Sequence, residues 1–332
     1  MSQRHRVLVV DDDPQTLAGL REVLSDHYSL SYATTGLQAL EAASKVLPAL
    51  ILLDVNLPDI DGFEVCRRLK ADQQTQLIPV LFVTSLNEGE FGVKGFSVGA
   101  VDYITKPIEP DVVVARVKSH ISLVRIDRLE RAYNDAISML AVAGEYNDTD
   151  TGIHIRRMAA VSAEIARQAG WSPERAELME QAAAMHDIGK LGIPGTILKK
   201  PGPLNTDEWH VMRQHPKIGH GILSVSEAPV FQLAAEIALA HHERWDGSGY
   251  PSNLAGDAIP ESARIVAIAD VLDALLSVRP YKKAWTIEET VAHIRADSGK
   301  HFDPALIDLF DRILPKILEV RERFNAIEEP EI

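Results

Sequence analysis

Residues 50–65 read LILLDVNLPDIDGFEV. Four apolar residues end on a carboxylate, Asp54; a loop follows, and an amphipathic run begins at Gly62. A short, unbroken apolar run fits a strand covered on both faces, as in parallel sheets flanked by helices. The same pattern recurs outward from this stretch, with VLVV (7–10), LSYA (30–33), VLFV (80–83) and VDYI (101–104). Amphipathic stretches lie between these runs, around 14–26, 36–46, 62–71 and 87–98. This alternation predicts a doubly wound, five-stranded parallel α/β domain over residues 1–122. Beyond about residue 110 the strand signal stops. Residues 110–145 read as one long helix, whose part 123–145 connects to an all-α domain over 146–332.

The 332 residues suffice for two cores, and 46% hydrophobic with 25% charged residues is a globular composition. No apolar run approaches the roughly 20 residues that span a bilayer. The opening MSQRHRVLVV lacks the apolar stretch of a secretory signal. Cys66 is the single cysteine, which excludes an internal disulfide and fits a reducing cytoplasm. A net charge of −14 argues against a general nucleic-acid surface. A small anionic substrate remains compatible, because bound metal ions invert the local sign.

The predicted strands of the first half end in chemistry. Asp11, Asp12 and Asp13 follow the first, Asp54 the third, Thr84 the fourth, and Thr105, Lys106 and Pro107 the fifth. Ligand sites of doubly wound sheets lie beyond the carboxyl ends of the strands, so these residues should converge. Clustered carboxylates repel one another and call for a hard cation such as Mg2+. A carboxylate beside that ion can attack a phosphoryl donor to form an acyl phosphate. Thr84 and Lys106 are placed to hold and neutralise the incoming group.

VLVVDDDP, LILLDVNLPDIDGFEV, VLFVTS and AVDYITKP resemble the receiver domains of two-component response regulators, over about residues 5–120. The resemblance implies Asp54 as phosphoacceptor. It implies Mg2+ held by Asp12, Asp54 and the backbone carbonyl of Asn56, with Asp11 assisting through water. Thr84 and Tyr103 take the switch positions, Lys106 contacts the phosphoryl group, and the Lys106–Pro107 bond is cis. A sensor histidine kinase is the implied partner.

The second half repeatedly places imidazole and carboxylate at helix ends or on apolar helix faces. Asp150 and His154 stand four apart; His186 and Asp187 end an Ala-rich helix; His215 stands alone; His241 and His242 close VFQLAAEIALAHH; Asp270 lies within ARIVAIADVLDALLS. An unpaired carboxylate buried in that last helix is costly, and a cation offsets the cost. Mixed His and carboxylate ligation suits iron, manganese, nickel or zinc. Two close ions can activate water and hold both oxygens of a displacement at phosphorus. The remaining histidines read as ordinary, with His301 in the distinctive turn GKHFDP a further candidate for site contact.

HDIGKLGIPGTILKKPGPLN, HHERWDGSGYP and ADVLDALLSVRPYKKAWT resemble the HD-GYP branch of the HD phosphohydrolases, over about residues 140–315. Members hydrolyse cyclic di-GMP, to the linear dinucleotide pGpG or onward to GMP. The resemblance implies a metal core of His186, Asp187, His215, His241, His242 and Asp270, with Asp187 bridging and iron or manganese the leading ions. Lys190 assists near the bridging water or phosphate, and His154 matches a further ligand position. Tyr250, Arg279 and Lys282 contact the dinucleotide, with Asp148 at a substrate-side acidic position. Asp150 stands where members with three metals carry Glu, so two ions are expected, with a third weak or absent. A diguanylate cyclase (GGDEF) protein is a further implied partner.

Ile126, Leu129, Tyr133, Ala136, Leu140 and Ala143 form a 3-4 alternation along the connecting helix. Packing within the chain and homodimerisation both account for it. The expected function is a response regulator whose phosphorylation controls metal-dependent hydrolysis of cyclic di-GMP. A non-catalytic cyclic di-GMP sensor is the alternative; DNA and membrane are not expected partners.

Overall fold

The computed structural model describes residues 4–85, 94–145, 152–277 and 284–325. Strands β1 (Arg6–Val10), β2 (Ser29–Ala33), β3 (Leu50–Asp54), β4 (Val80–Thr84) and β5 (Asp102–Thr105) form one sheet in the order β2-β1-β3-β4-β5. All neighbouring pairs are parallel. Val101, expected in the last strand, stays exposed at its edge, though its amide still donates to the Val80 carbonyl at 3.0 Å. The strand order reverses between β1 and β3, so a crevice opens beyond their carboxyl ends, where Asp11 and Asp54 stand.

Helices α1 (Pro14–Leu24), α2 (Gly36–Val46) and α3 (Gly62–Ala71) flank the sheet sequence and are capped by Asp13, Thr35 and Asp61. Asp13 accepts the amide protons of Gln15 and Thr16, so this acid is committed to helix capping. Alternate residues of each strand feed two cores, as the two-residue strand period requires. Leu8, Val10, Ile51, Leu53 and Phe82 enter one core, while Val7, Val9, Leu50, Leu52 and Val83 enter the other. Of the helical stretch expected at 87–98, residues 94–97 are helical, and 86–93 lie outside the described residues.

Helix α4 (Pro110–Glu145) is continuous over 36 residues. Its Val113, Val117 and Ile121 join the core of the α/β part, and its Ile137 and Ala141 join the helical core. Ile126, Leu129, Tyr133, Ala136 and Leu140 are exposed. Contacts divide the chain into two compact units, Met1–Ala132 and Tyr133–Ile332.

The second unit is built from α5 (Gly152–Gln168), α6 (Pro173–Ala183), a 3-10 turn (Ile188–Gly192), α7 (Gly195–Leu198), α8 (Thr206–Met212) and α9 (His215–Leu223), followed by α10 (Pro229–Ala240), α11 (Glu261–Leu276), α12 (Ile287–Ala296) and α13 (Pro304–Asn325). Met158, Val161 and Ile165 of α5 share a core with Met179, Ile237, Ile268, Leu272 and Phe310. The core fixes the helix axes, and the chemistry sits at their ends. His186 and Asp187 lie just past α6, His215 opens α9, and His241 caps α10. No described helix is long and apolar enough to cross a membrane.

Candidate metal centre and phosphoacceptor site

At the carboxyl end of the sheet, Lys106 Nζ lies 2.8 Å from Asp11 Oδ2 and 3.3 Å from Asp54 Oδ1. Asp12, more exposed, offers an oxygen in the same cluster as those of Asp11 and Asp54. Burial pushes the Asp54 carboxyl up; Lys106 opposes this, and the negative Asp11 adds to it. A cation shared by the three acids removes that repulsion, so the donor set fits a hard divalent ion. Thr84 is buried at the end of β4, Tyr103 is half-buried on β5, and Asn56 is exposed just past β3. The Lys106–Pro107 bond is cis.

In the helical unit, Asp187 is buried among imidazoles. His186 Nε2 lies 3.2 Å from Asp187 Oδ2, while His215 Nε2 and His241 Nε2 lie 3.2 and 3.5 Å from Oδ1. The opposite edge of each ring meets a backbone carbonyl at a helix end. His186 Nδ1 pairs with the Ala183 carbonyl at 3.0 Å, His215 Nδ1 with Met212 at 2.8 Å, and His241 Nδ1 with Ala238 at 3.1 Å. A carbonyl only accepts, so Nδ1 carries the proton and Nε2 presents a lone pair toward Asp187.

That arrangement is repulsive unless something positive lies between. Among the described residues, the Nε2 atoms of His215 and His241, and Oδ1 of Asp187, are buried without a hydrogen-bond partner. Orphaned buried acceptors converging on one point fit a metal ion. His242 adds a fourth donor, within 4.8 Å of those of Asp187, His215 and His241. Burial, then His241 and His215, holds His242 well below the usual histidine range, in its ligating neutral form. Burial pushes the Asp187 carboxyl up, but Lys190 and His186 outweigh it and hold it ionised. Lys190 Nζ is 2.7 Å from Asp187 Oδ2.

His154 and Asp270 form an adjoining pair, with His154 Nε2 3.8 Å from Asp270 Oδ1. Asp270 departs from the expectation of a buried carboxylate, since its side chain is 26% exposed. The buried acid of α11 is Asp273, one helical turn on, at 1% exposure. Its carboxylate accepts from Arg157 Nε at 2.8 Å and Arg321 Nε at 3.0 Å, and lies 2.6 Å from His154 Nδ1. Two guanidinium groups thus offset its burial, and Asp273 turns His154 Nε2 toward Asp270. Its i, i+3 spacing from Asp270 was the available signal in the sequence. Asp148, Asp150, Arg279 and Lys282 lie outside the described residues.

The loop after His242 has an internal frame. Buried Glu243 accepts the amide protons of Ser252 at 2.7 Å and Leu254 at 3.0 Å. The Trp245 and Asp246 amides donate to the His301 and Lys300 carbonyls, which ties GKHFDP to this loop. A Cβ on Gly249 would stand 2.4 Å from the Arg244 nitrogen, so only glycine permits the turn. The loop lays Tyr250 against His242, with ring centres 4.7 Å apart at 27°. Burial and the nearby Asp187 push the Tyr250 phenol far above its ordinary value.

Comparison with known proteins matches both halves of the chain to known families. Residues 7–118 match the response regulator receiver domain family, and residues 138–306 match the HD domain family. The chain is 37% identical over 342 residues to "Cyclic di-GMP phosphodiesterase response regulator RpfG" of Xanthomonas campestris pv. campestris (strain 8004), covering 96% of this chain and 90% of that protein. The chain belongs to the response regulators that join a receiver domain to an HD domain. A "Cyclic di-GMP phosphodiesterase" of Thermotoga maritima is 36% identical over 345 residues, with 96% and 92% of the two chains covered. The "3'3'-cGAMP-specific phosphodiesterase 2" of Vibrio cholerae is 43% identical over 199 residues, 60% of this chain and 37% of that protein.

The loop frame of the HD domain yields a test. Gly249→Ala should lower stability by about 1–3 kcal/mol, because its Cβ meets backbone rather than a movable side chain. Gly195→Ala, whose Cβ enters open space, should be neutral or slightly stabilising. Denaturant unfolding of the two variants compares them directly, and equal effects would refute the close-approach argument.

Proposed function

We propose that this response regulator hydrolyses cyclic di-GMP to pGpG, GMP or both, under control of phosphorylation at Asp54. The observation carrying the reading is the convergence of tautomer-locked Nε2 lone pairs on the buried Asp187 carboxylate. A non-catalytic sensor leaves that costly arrangement without a use. Relatives named as cyclic di-GMP phosphodiesterases, aligned over 96% of this chain, support the same substrate.

His186, Asp187, His215, His241, His242 and Asp270 would hold two divalent ions, with His154 as a further donor and Asp150 too short for a third ion. Iron or manganese leads, and nickel and zinc also suit the donors. When bound, such ions lower the pKa of water and polarise a phosphodiester. The chain's own groups do the rest. Asp187 would serve as a shared ligand, and Lys190 places its charge at the carboxylate edge, where it offsets the phosphate's charge. Tyr250 stays a protonated phenol and donates to a phosphate oxygen. Arg279 and Lys282 serve the substrate phosphates, with Asp148 on the substrate side.

In the receiver, Asp11, Asp12, Asp54 and the Asn56 carbonyl would hold Mg2+ while a sensor histidine kinase supplies the phosphoryl group. Lys106 neutralises that group, and Thr84 and Tyr103 report its arrival. The exposed stripe from Ile126 to Leu140 supports homodimerisation through the connecting helix. A diguanylate cyclase (GGDEF) partner would place synthesis and breakdown together. A single cysteine, buried and with its thiol pushed up to about 11 by burial, suits the cytoplasm.

Two variants test the reading. Asp187→Ala should empty the metal site and reduce hydrolysis by orders of magnitude, read by elemental analysis and nucleotide chromatography. Wild-type protein that holds metal and binds cyclic di-GMP without cleaving it would establish the sensor instead. Asp54→Asn should abolish labelling by a small phosphodonor with Mg2+, since an amide forms no acyl phosphate. Labelling at the wild-type rate would place the acceptor elsewhere.

A further inference from the structure

The stack on His242 does not end at Tyr250. The Arg213 guanidinium lies 5.3 Å from the Tyr250 ring centre and 5.9 Å from that of Trp209. Arg213 caps α8 two residues before His215, so it stands beside the metal centre. Trp209, on the same helix, is left 45% exposed, unusual for the largest aromatic side chain.

Three cations of the surrounding loops and turns are committed. Lys190 pairs with Asp187 and Lys200 with Glu208, while Arg244 faces Asp246 and Asp297 at 3.9 and 3.8 Å. Among the described residues, no carboxylate lies within ion-pair distance of Arg213. Arg213 is exposed, and the two rings flank its guanidinium while its donors stay open to solvent or a ligand. An arginine held this way, in a chain of net charge −14, is set for a ligand that brings its own acceptors.

We infer that Arg213 and Trp209 are specificity-determining residues that read a guanine base of the substrate. This rests on the assignment of the metal centre to cyclic dinucleotide hydrolysis. The planar guanidinium matches the O6 and N7 acceptors of guanine in a bidentate pair. Adenine carries a donor amine at the equivalent position and cannot complete that pair. The exposed indole supplies a face on which the base stacks. One phosphodiester sits at the metal centre while a base of the same molecule reaches along His242, Tyr250 and Arg213 to Trp209.

The test uses the full-length, manganese-loaded chain, with equilibrium binding and metal content measured beside turnover. Arg213→Gln should weaken cyclic di-GMP binding roughly ten- to hundredfold, the usual size of one bidentate base contact. Binding of cyclic di-AMP should change little, and metal content should be retained. Arg213→Lys keeps the charge and can still reach O6 and N7 but lacks the planar fork, so it should recover only part of the loss. Trp209→Ala should weaken both nucleotides, because stacking is indifferent to base identity. Full rescue by Arg213→Lys, equal losses for both nucleotides in Arg213→Gln, or loss of metal would each overturn the assignment. Unchanged binding in Arg213→Gln would overturn it as well. Failure of the wild type to cleave cyclic di-GMP would instead count against the hydrolase reading, which the binding comparison keeps separate.

Discussion

The helical half depends on one electrostatic constraint, a buried carboxylate facing imidazole lone pairs. Asp187 Oδ1 stands 3.2 Å from His215 Nε2 and 3.5 Å from His241 Nε2. Among the described residues, none of these three atoms has a hydrogen-bond partner. Removing such groups from water without a partner costs several kcal/mol, more for the ionised one. The fold tolerates that cost if the folded state is a metal-bound state. Metal affinity and folding stability are then coupled, and the ligands must be deprotonated for either to hold.

The geometry that enforces this constraint is made at helix ends. Unsatisfied carbonyls there take the Nδ1 proton of each histidine and fix which nitrogen faces inward. Close backbone packing brings the ends together. A Cβ on Gly189, in the turn after Asp187, would stand 1.9 Å from the His215 carbonyl, so that turn and the start of α9 touch directly. Asp273, neutralised by Arg157 and Arg321, does for His154 with a carboxylate what the carbonyls do for the others. That contact fixes the His154 ring and leaves Nε2 facing Asp270.

Much of this architecture was legible in the sequence, for identifiable reasons. Strands buried on both faces appear as unbroken apolar runs, and the residues after them fall at the sheet's carboxyl end, as Asp11, Asp54 and Lys106 do. Histidines and Asp187 bordering apolar helices marked the second site in the same way. What depended on tertiary packing was not legible. Asp270 and Asp273 are one turn apart on one helix, and only the approach of Arg157 and Arg321 decides which is buried. The role of Glu243 carries no sequence signal, because its partners, Ser252 and Leu254, are defined by the loop's path. Arg213 belongs to no recognisable motif, and its place beside Tyr250 follows from the packing of α8 and α9.

The donor set of the HD domain suits a paired-metal centre held by imidazole and carboxylate alone. X-ray absorption at the metal edge of the purified native chain tests it most directly. The expected result is a first shell of nitrogen and oxygen with imidazole multiple scattering, no sulfur, and a metal–metal feature at about 3.5–4 Å. A first shell containing sulfur, or a single ion with no metal–metal scattering, would contradict it.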